Sequence, residues 1–198
     1  MVFDGILISF IVGILRKGNL RAFSQLNLKW GWVFPLLLVV QLAVFTFQND
    51  SKFLGQLSGF IYIIVYVIGL IFLFLNRKNP GFILIFIGVF LNFIVMVLNG
   101  GRMPVSVEAS AVLVPGYIQA LKEGLYAKHA MLTPETNLGF LGDVIPISDP
   151  YPRTQIISIG DIIMNIGIFF FIQYLMVKHP LANRGNAAAL SLKGGEER

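Results

Sequence analysis

From Leu57 to Leu98 the chain reads LSGFIYIIVYVIGLIFLFL, NRKNP, GFILIFIGVFLNFIVMVL, two apolar runs parted by a short basic link. Crossing ~30 Å of hydrocarbon takes about 20 residues at 1.5 Å each, so each run has the length and composition of a membrane-spanning helix. The link leaves room only for a turn. The same test applied outward finds three more runs, at residues 2–15, 30–47 and 156–177. The first is the shortest and carries Asp4, which admits a tilted or half-inserted arrangement beside a full crossing. The second opens with Trp30 and Trp32, whose rings suit the headgroup boundary, and keeps Pro35 within its first turns, where proline is tolerated.

Composition points the same way. The 198 residues are 56% hydrophobic and 13% charged, with mean hydropathy +0.78, against about 25% charge in an average soluble domain. Without cysteine there is no disulfide, thiolate metal site or cysteine nucleophile. The net charge of +5 reads as membrane topology rather than as a nucleic-acid surface, because Lys and Arg collect in cytoplasmic loops. Alternating the five spans from an outside N-terminus puts Arg16, Lys17, Arg21, Lys29, Arg77, Lys78, Lys178, Arg184, Lys193 and Arg198 inside. That leaves Lys52, Arg102, Lys122, Lys128 and Arg153 outside, among six carboxylates. The expectation is an all-α, multi-pass protein of the cell membrane: one domain, residues 1–178, of about five transmembrane helices, followed by a flexible cytoplasmic tail at 179–198.

The segment 99–154 is too long for an ordinary connection, and its content of Val, Leu, Ile, Tyr and Phe argues against disorder. Val112, Tyr117, Leu121, Leu125 and Ala127 recur near helical spacing around Lys122, Glu123 and Lys128, with Pro115 at a start or kink. An ordered outer cap carrying a short surface helix is therefore expected.

Polar groups at membrane depth are costly and mark the places where chemistry or helix pairing occurs. Asn92 and Asn99 share a face of the fourth run, and Asp161 and Asn165 stand at i and i+4 on the fifth. Interhelical bonding that holds the bundle together is the plainer reading of the asparagines, beside a place in a polar site. NGGRMPVS, Asn99 to Ser106, brings two glycines and the planar cation of Arg102 to the membrane edge, where it can pair with Asp143 or Asp161 or hold an anionic headgroup. The stretch LGDVIPISDPYPRTQIISIGD, Leu141 to Asp161, is bent by Pro146, Pro150 and Pro152, and its return can set Asp143 beside Asp161. Two close carboxyls can share a proton and divide acid from base. His129 and His179 fall on opposite sides of the membrane, so no zinc pair forms, and Ser106, Ser110 and Ser158 lack a nearby histidine base.

NGGRMPVS, LGDVIP and SIGDIIMNIG together resemble a family of small bacterial multi-pass membrane proteins classified only as a domain of unknown function. That resemblance covers most of the chain and implies no activity. Residues 141–171 are also similar to the lipoprotein signal peptidases, intramembrane aspartic enzymes. The similarity implies a catalytic dyad of Asp143 and Asp161, with Gly167 six residues after the second. The chain departs from those enzymes in having one span more, Ser158 where they have Asn, and no counterpart of their Asp-Arg element.

Two functions are expected from these residues. The first is a binding or accessory membrane subunit with a polar site of Asn99, Arg102, Asp143, Arg153, Asp161 and Asn165, Asn92 lying below, that holds membrane lipid, an anionic ligand or another membrane subunit. The second is the aspartic intramembrane peptidase. A transporter subunit fits the size but lacks a polar path through the inner half of the spans. No cofactor, metal or nucleic acid enters either account.

Overall fold

The computed structural model describes residues 2–47, 52–110, 121 and 128–178. Its helices are α1 (Val2–Leu15), α2 (Val33–Phe47), α3 (Lys52–Leu75), α4 (Phe82–Leu98), the single turn α5 (Val107–Ser110) and α6 (Ile159–Gln173). A π-helical turn, Tyr174–Lys178, continues α6. Leu57–Leu75 and Ile159–Lys178 are long and apolar enough to cross a membrane; α1, α2 and α4 contain shorter apolar helices.

The chain is mostly helical rather than wholly so, which corrects the all-α expectation. Strands β1 (Met103–Val105) and β2 (His129–Met131) pair in parallel, and β3 (Ile145–Ile147) and β4 (Gln155–Ile157) pair antiparallel. Pro104 and Pro146 stand in β1 and β3, and the fixed φ of proline keeps both stretches extended. β4 also delays the last helix, which begins at Ile159 rather than at the expected residue 156 because Ser158 caps it. The second helix begins at Val33, not at residue 30, since residues 29–32 form a turn in which Trp30 takes φ 57°. The expected surface helix around Val112 to Ala127 and the tail at 179–198 lie outside the described residues.

The long helices pack in the order α2, α3, α4, α6, α1. The tightest contact, α4 on α6, follows from glycine. Gly88 lies against Gly160 and Gly81 against Gly167, a spacing of seven residues on both helices with the order reversed. The helices therefore run antiparallel with their backbones touching. A Cβ on Gly88 would sit 2.4 Å from the Gly160 carbonyl oxygen, and one on Gly160 would sit 2.6 Å from that of Gly88.

Large apolar side chains point away from the bundle on every long helix. Leu7, Val39, Phe60, Ile83 and Phe170, one from each, are all more than half exposed. The cation-bearing connections converge at one end. There the buried Asn76 donates to the Lys29 carbonyl and accepts from the Lys29 N–H, both at 2.9 Å, and Asn19 N–H donates to Met176 O at 2.7 Å. Arg16, Lys17, Arg21, Lys29, Arg77, Lys78 and Lys178 all belong to this end, and no Asp or Glu occurs in residues 16–32, 76–80 or 174–178. The strands and the start of α6 form the opposite end, seated on α4 and α3.

Candidate functional site

The site begins with the motif strand β1. Its residues Met103, Pro104 and Val105 are buried, reached through a turn in which Gly100 and Gly101 take φ of 69° and 80°, a region that favours glycine. Gly101 also lies on Gly59 of α3, too close for any side chain. One edge of β1 pairs with β2, which brings His129 opposite Met103. On its other side Asp143 N–H donates to Pro104 O at 2.8 Å and Asp143 O accepts from Ser106 N–H at 3.0 Å. One short strand thus holds both backbones, and the His129 Nε2 and Asp143 carboxylate come to 3.6 Å.

At that distance the two groups touch without a good hydrogen bond, and burial decides their charges. Burial, with the negative charge of Asp161 adding to it and Lys128 opposing it, pushes Asp143 up to about 7. Burial, helped by the neighbouring Lys128 cation, takes His129 down to about 3. Each is driven toward its neutral form.

Asp161 has a different setting. Ser158 caps α6 by accepting from Asp161 N–H at 3.0 Å, and Asp161 Oδ2 accepts from Ser158 N–H at 3.3 Å, a reciprocal capping box. Asn92 of α4 joins both residues: its Nδ2 donates to Asp161 Oδ1 at 3.0 Å, and its Oδ1 accepts from Ser158 Oγ at 2.8 Å. Four hydrogen bonds close a ring among Ser158, Asp161 and Asn92, and both carboxylate oxygens serve as acceptors in it.

The remaining expected residues do other things. Asn165 donates to the Asp161 carbonyl at 2.7 Å, one turn back on α6. Asn99 ends α4 and clamps the cap, donating to Asn137 O at 2.8 Å and accepting from Asn137 N–H at 3.0 Å. Arg153 lies 3.7 Å from Asp4 at the start of α1. Arg102 makes neither expected pair: no ion pair joins it to Asp143 or Asp161, which are held by β1 and by the capping ring instead.

Below the ring opens a cavity of about 600 Å3. Its walls come from all five long helices and are apolar, Phe34, Leu37, Val65, Phe72 and Ile168 among them. Asn92, Asp161, Lys128, Tyr66 and Gln41 are its polar lining. Volume and lining fall in the range of small-molecule sites, mostly apolar with a few placed polar groups. Sequence reasoning missed Gln41, Tyr66, Lys128 and His129 as site residues. Gln41 and Tyr66 stand alone in apolar helices, and His129 reaches Asp143 through a pairing of distant segments, so no local spacing announces any of them.

Residues 25–173, which include every motif above, match the family of unknown function DUF5317. The chain belongs to that family. An uncharacterized protein of Thermotoga maritima is 33% identical to it over 171 residues, 86% of this chain and 89% of that protein. No solved structure matches the chain. Membership of DUF5317 agrees with the resemblance carried by NGGRMPVS, LGDVIP and SIGD. The geometry gives those motifs work in this DUF5317 chain: the first builds β1, the second hangs Asp143 on it, and the third caps α6 and meets Asn92.

Proposed function

We propose that this chain is a five-span protein of the cell membrane, outside at its N-terminus and cytoplasmic at its C-terminus, that binds an amphiphilic molecule drawn from the bilayer. The apolar outward faces of all five long helices support the membrane reading, since exposed patches of that extent are rare on soluble monomers. The gathering of cations at the end opposite the cap supports the orientation. In this reading α1, α2 and α4 cross by tilting or by local thinning of the bilayer.

The observation that carries the binding function is the cavity, polar beneath the cap and apolar along its length. Gly69 provides the test. It lines the cavity from α3, and a Cβ placed there meets only Leu37 Cδ1 at 3.8 Å, ordinary contact. Gly69→Phe should therefore fill the space while leaving the bundle folded. With purified protein in neutral detergent, a pyrene-labelled single-chain amphiphile should bind the wild type and bind Gly69→Phe at least tenfold more weakly. Equal binding by the two, with both folded, refutes a site in the cavity.

The aspartic peptidase is the second reading, favoured by one feature: Asp143 is raised partly by the charge of Asp161, as expected when two carboxyls share a proton. Against it, both oxygens of Asp161 are engaged in the capping ring. Asp143→Asn and Asp161→Asn decide the matter with a membrane-embedded peptide substrate. Cleavage by wild type that either change abolishes, in folded protein, would establish the dyad; wild-type inactivity, or cleavage surviving both changes, removes it.

A further inference from the structure

We infer that the molecule taken up by this cavity is a single-chain amphiphile with an anionic oxyanion headgroup, a phosphate or a carboxylate, held by Lys128. The inference rests on the binding function proposed above and names the ligand class. Five polar side chains line the cavity, and the hydrogen bonds divide them into two sets. Asn92 and Asp161 are already committed: the carboxylate accepts on both oxygens, and the amide gives its N–H to Asp161 and takes the Ser158 hydroxyl on its oxygen. Lys128, Tyr66 and Gln41 are uncommitted, for no described residue hydrogen-bonds their side chains and no described carboxylate lies within ion-pair distance of Lys128. What the cavity has left to offer is one ammonium, one phenol and one primary amide, a set dominated by donors around a cation.

The cation is well placed. Met103 N–H donates to Lys128 O at 2.8 Å, so the residue is anchored to the buried motif strand at the entry to β2. Lys128 thus lines the cavity from a fixed backbone, and Tyr66, on α3, stacks on Phe93 of α4 with ring centroids 6.4 Å apart. A cation beside a low-dielectric space binds an oxyanion through charge-assisted hydrogen bonds. A quaternary ammonium headgroup would instead meet the like charge of Lys128, while Asp161 keeps its negative charge but turns both oxygens to the capping ring. An alkyl chain then follows the apolar wall toward Phe34 and Phe72.

The test compares hexadecyl phosphate, hexadecanoate, hexadecanol and hexadecyltrimethylammonium as displacers of the pyrene-labelled amphiphile from the full chain in neutral detergent, with inorganic phosphate as a chainless control. The two anions should displace roughly tenfold to a hundredfold more strongly than the alcohol, the cation least, and inorganic phosphate not at all. Their order relative to one another tells phosphate from carboxylate. Lys128→Gln should erase the anionic preference over hexadecanol, and Lys128→Arg should restore it. Equal displacement by all headgroups, preference for the cation, or an anionic preference that survives Lys128→Gln overturns the inference while leaving the cavity as a binding site. Displacement by inorganic phosphate equal to that by hexadecyl phosphate also overturns it, since the chain would then contribute nothing. Failure of the labelled amphiphile to bind at all removes both proposals.

Discussion

Gly88→Ala is the smallest change that strikes the contact on which the site is built. The new methyl carbon would lie 2.4 Å from the Gly160 carbonyl oxygen and 2.6 Å from Met164 N, where ordinary contact begins near 3.4 Å, so α4 and α6 must part by about 1 Å. Overpacking of that kind costs about 1–3 kcal/mol. One turn further along, the separation pulls on Asn92–Asp161 at 3.0 Å and Asn92–Ser158 at 2.8 Å, each contributing about 0.5–1.5 kcal/mol net. Alanine recovers up to about 1 kcal/mol over glycine within a helix. The balance is a loss of about 1–5 kcal/mol. Gly69→Ala serves as the reference, because its nearest new neighbour is Leu37 Cδ1 at an ordinary 3.8 Å. Unfolding of both variants and wild type, titrated with a denaturing detergent in mixed micelles and followed by circular dichroism, measures the difference. If Gly88→Ala falls within about 0.5 kcal/mol of Gly69→Ala, the backbone contact between α4 and α6 is not as close as described.

Stability against pH separates Asp143 from His129. Asp143, raised from 3.8 to about 7, contributes stability that is full below pH 4 and lost as pH rises to about 7; His129, lowered from 6.5 to about 3, contributes stability that is full above pH 6.5 and lost as pH falls toward 3. The two slopes offset in wild type between about pH 4 and 6.5, whereas the melting temperature of His129→Gln should fall with rising pH and that of Asp143→Asn with falling pH; slopes of the reverse sign would show that burial does not set the charge of either group. Asn76→Leu leaves the Lys29 N–H and carbonyl without their partner and should cost about 2–4 kcal/mol in the same detergent titration, and a cost below 0.5 would mean that water replaces the amide freely. A reporter inserted beside Glu135 should signal from outside and one placed after Arg198 from the cytoplasm; the opposite pair of signals inverts the proposed orientation.

The long helices were legible because hydrophobic run length and helix length are two views of one quantity: residues 2–15, 57–75 and 81–98 appear close to where the runs lie, α3 beginning five residues earlier at Lys52. The boundaries that moved did so for local reasons, the Trp30 turn and the Ser158 cap, which run length does not sense. In the site, Asn92 and Asp161 could be read from the cost of polar groups at that depth, whereas Asn165, on the same face one turn on, bonds back to the Asp161 carbonyl and does not line the cavity. The prolines allowed a return of Asp143 toward Asp161, and what the structure shows of that pair is that the charge of Asp161 reaches Asp143. Arg102 drew attention as a permanent charge in a distinctive motif, yet what the motif does is made mostly by the backbone of Met103 to Val105 and the glycines before them. His129 and Lys128 were hidden because a parallel pairing across more than twenty residues leaves no periodic trace.

The packing order also has a consequence for synthesis. Translation produces α1 before α6, but α1 packs on α6 and on the turn after it, with Gln173 Nε2 donating to Ser9 O at 2.7 Å and Asn19 N–H reaching Met176 O. Chains halted before Ile159 contain α1 to α4 and still leave α1 without its partner. α1 emerges well before the helix it docks on, so the wall of the cavity that α1 supplies closes only when α6 is complete.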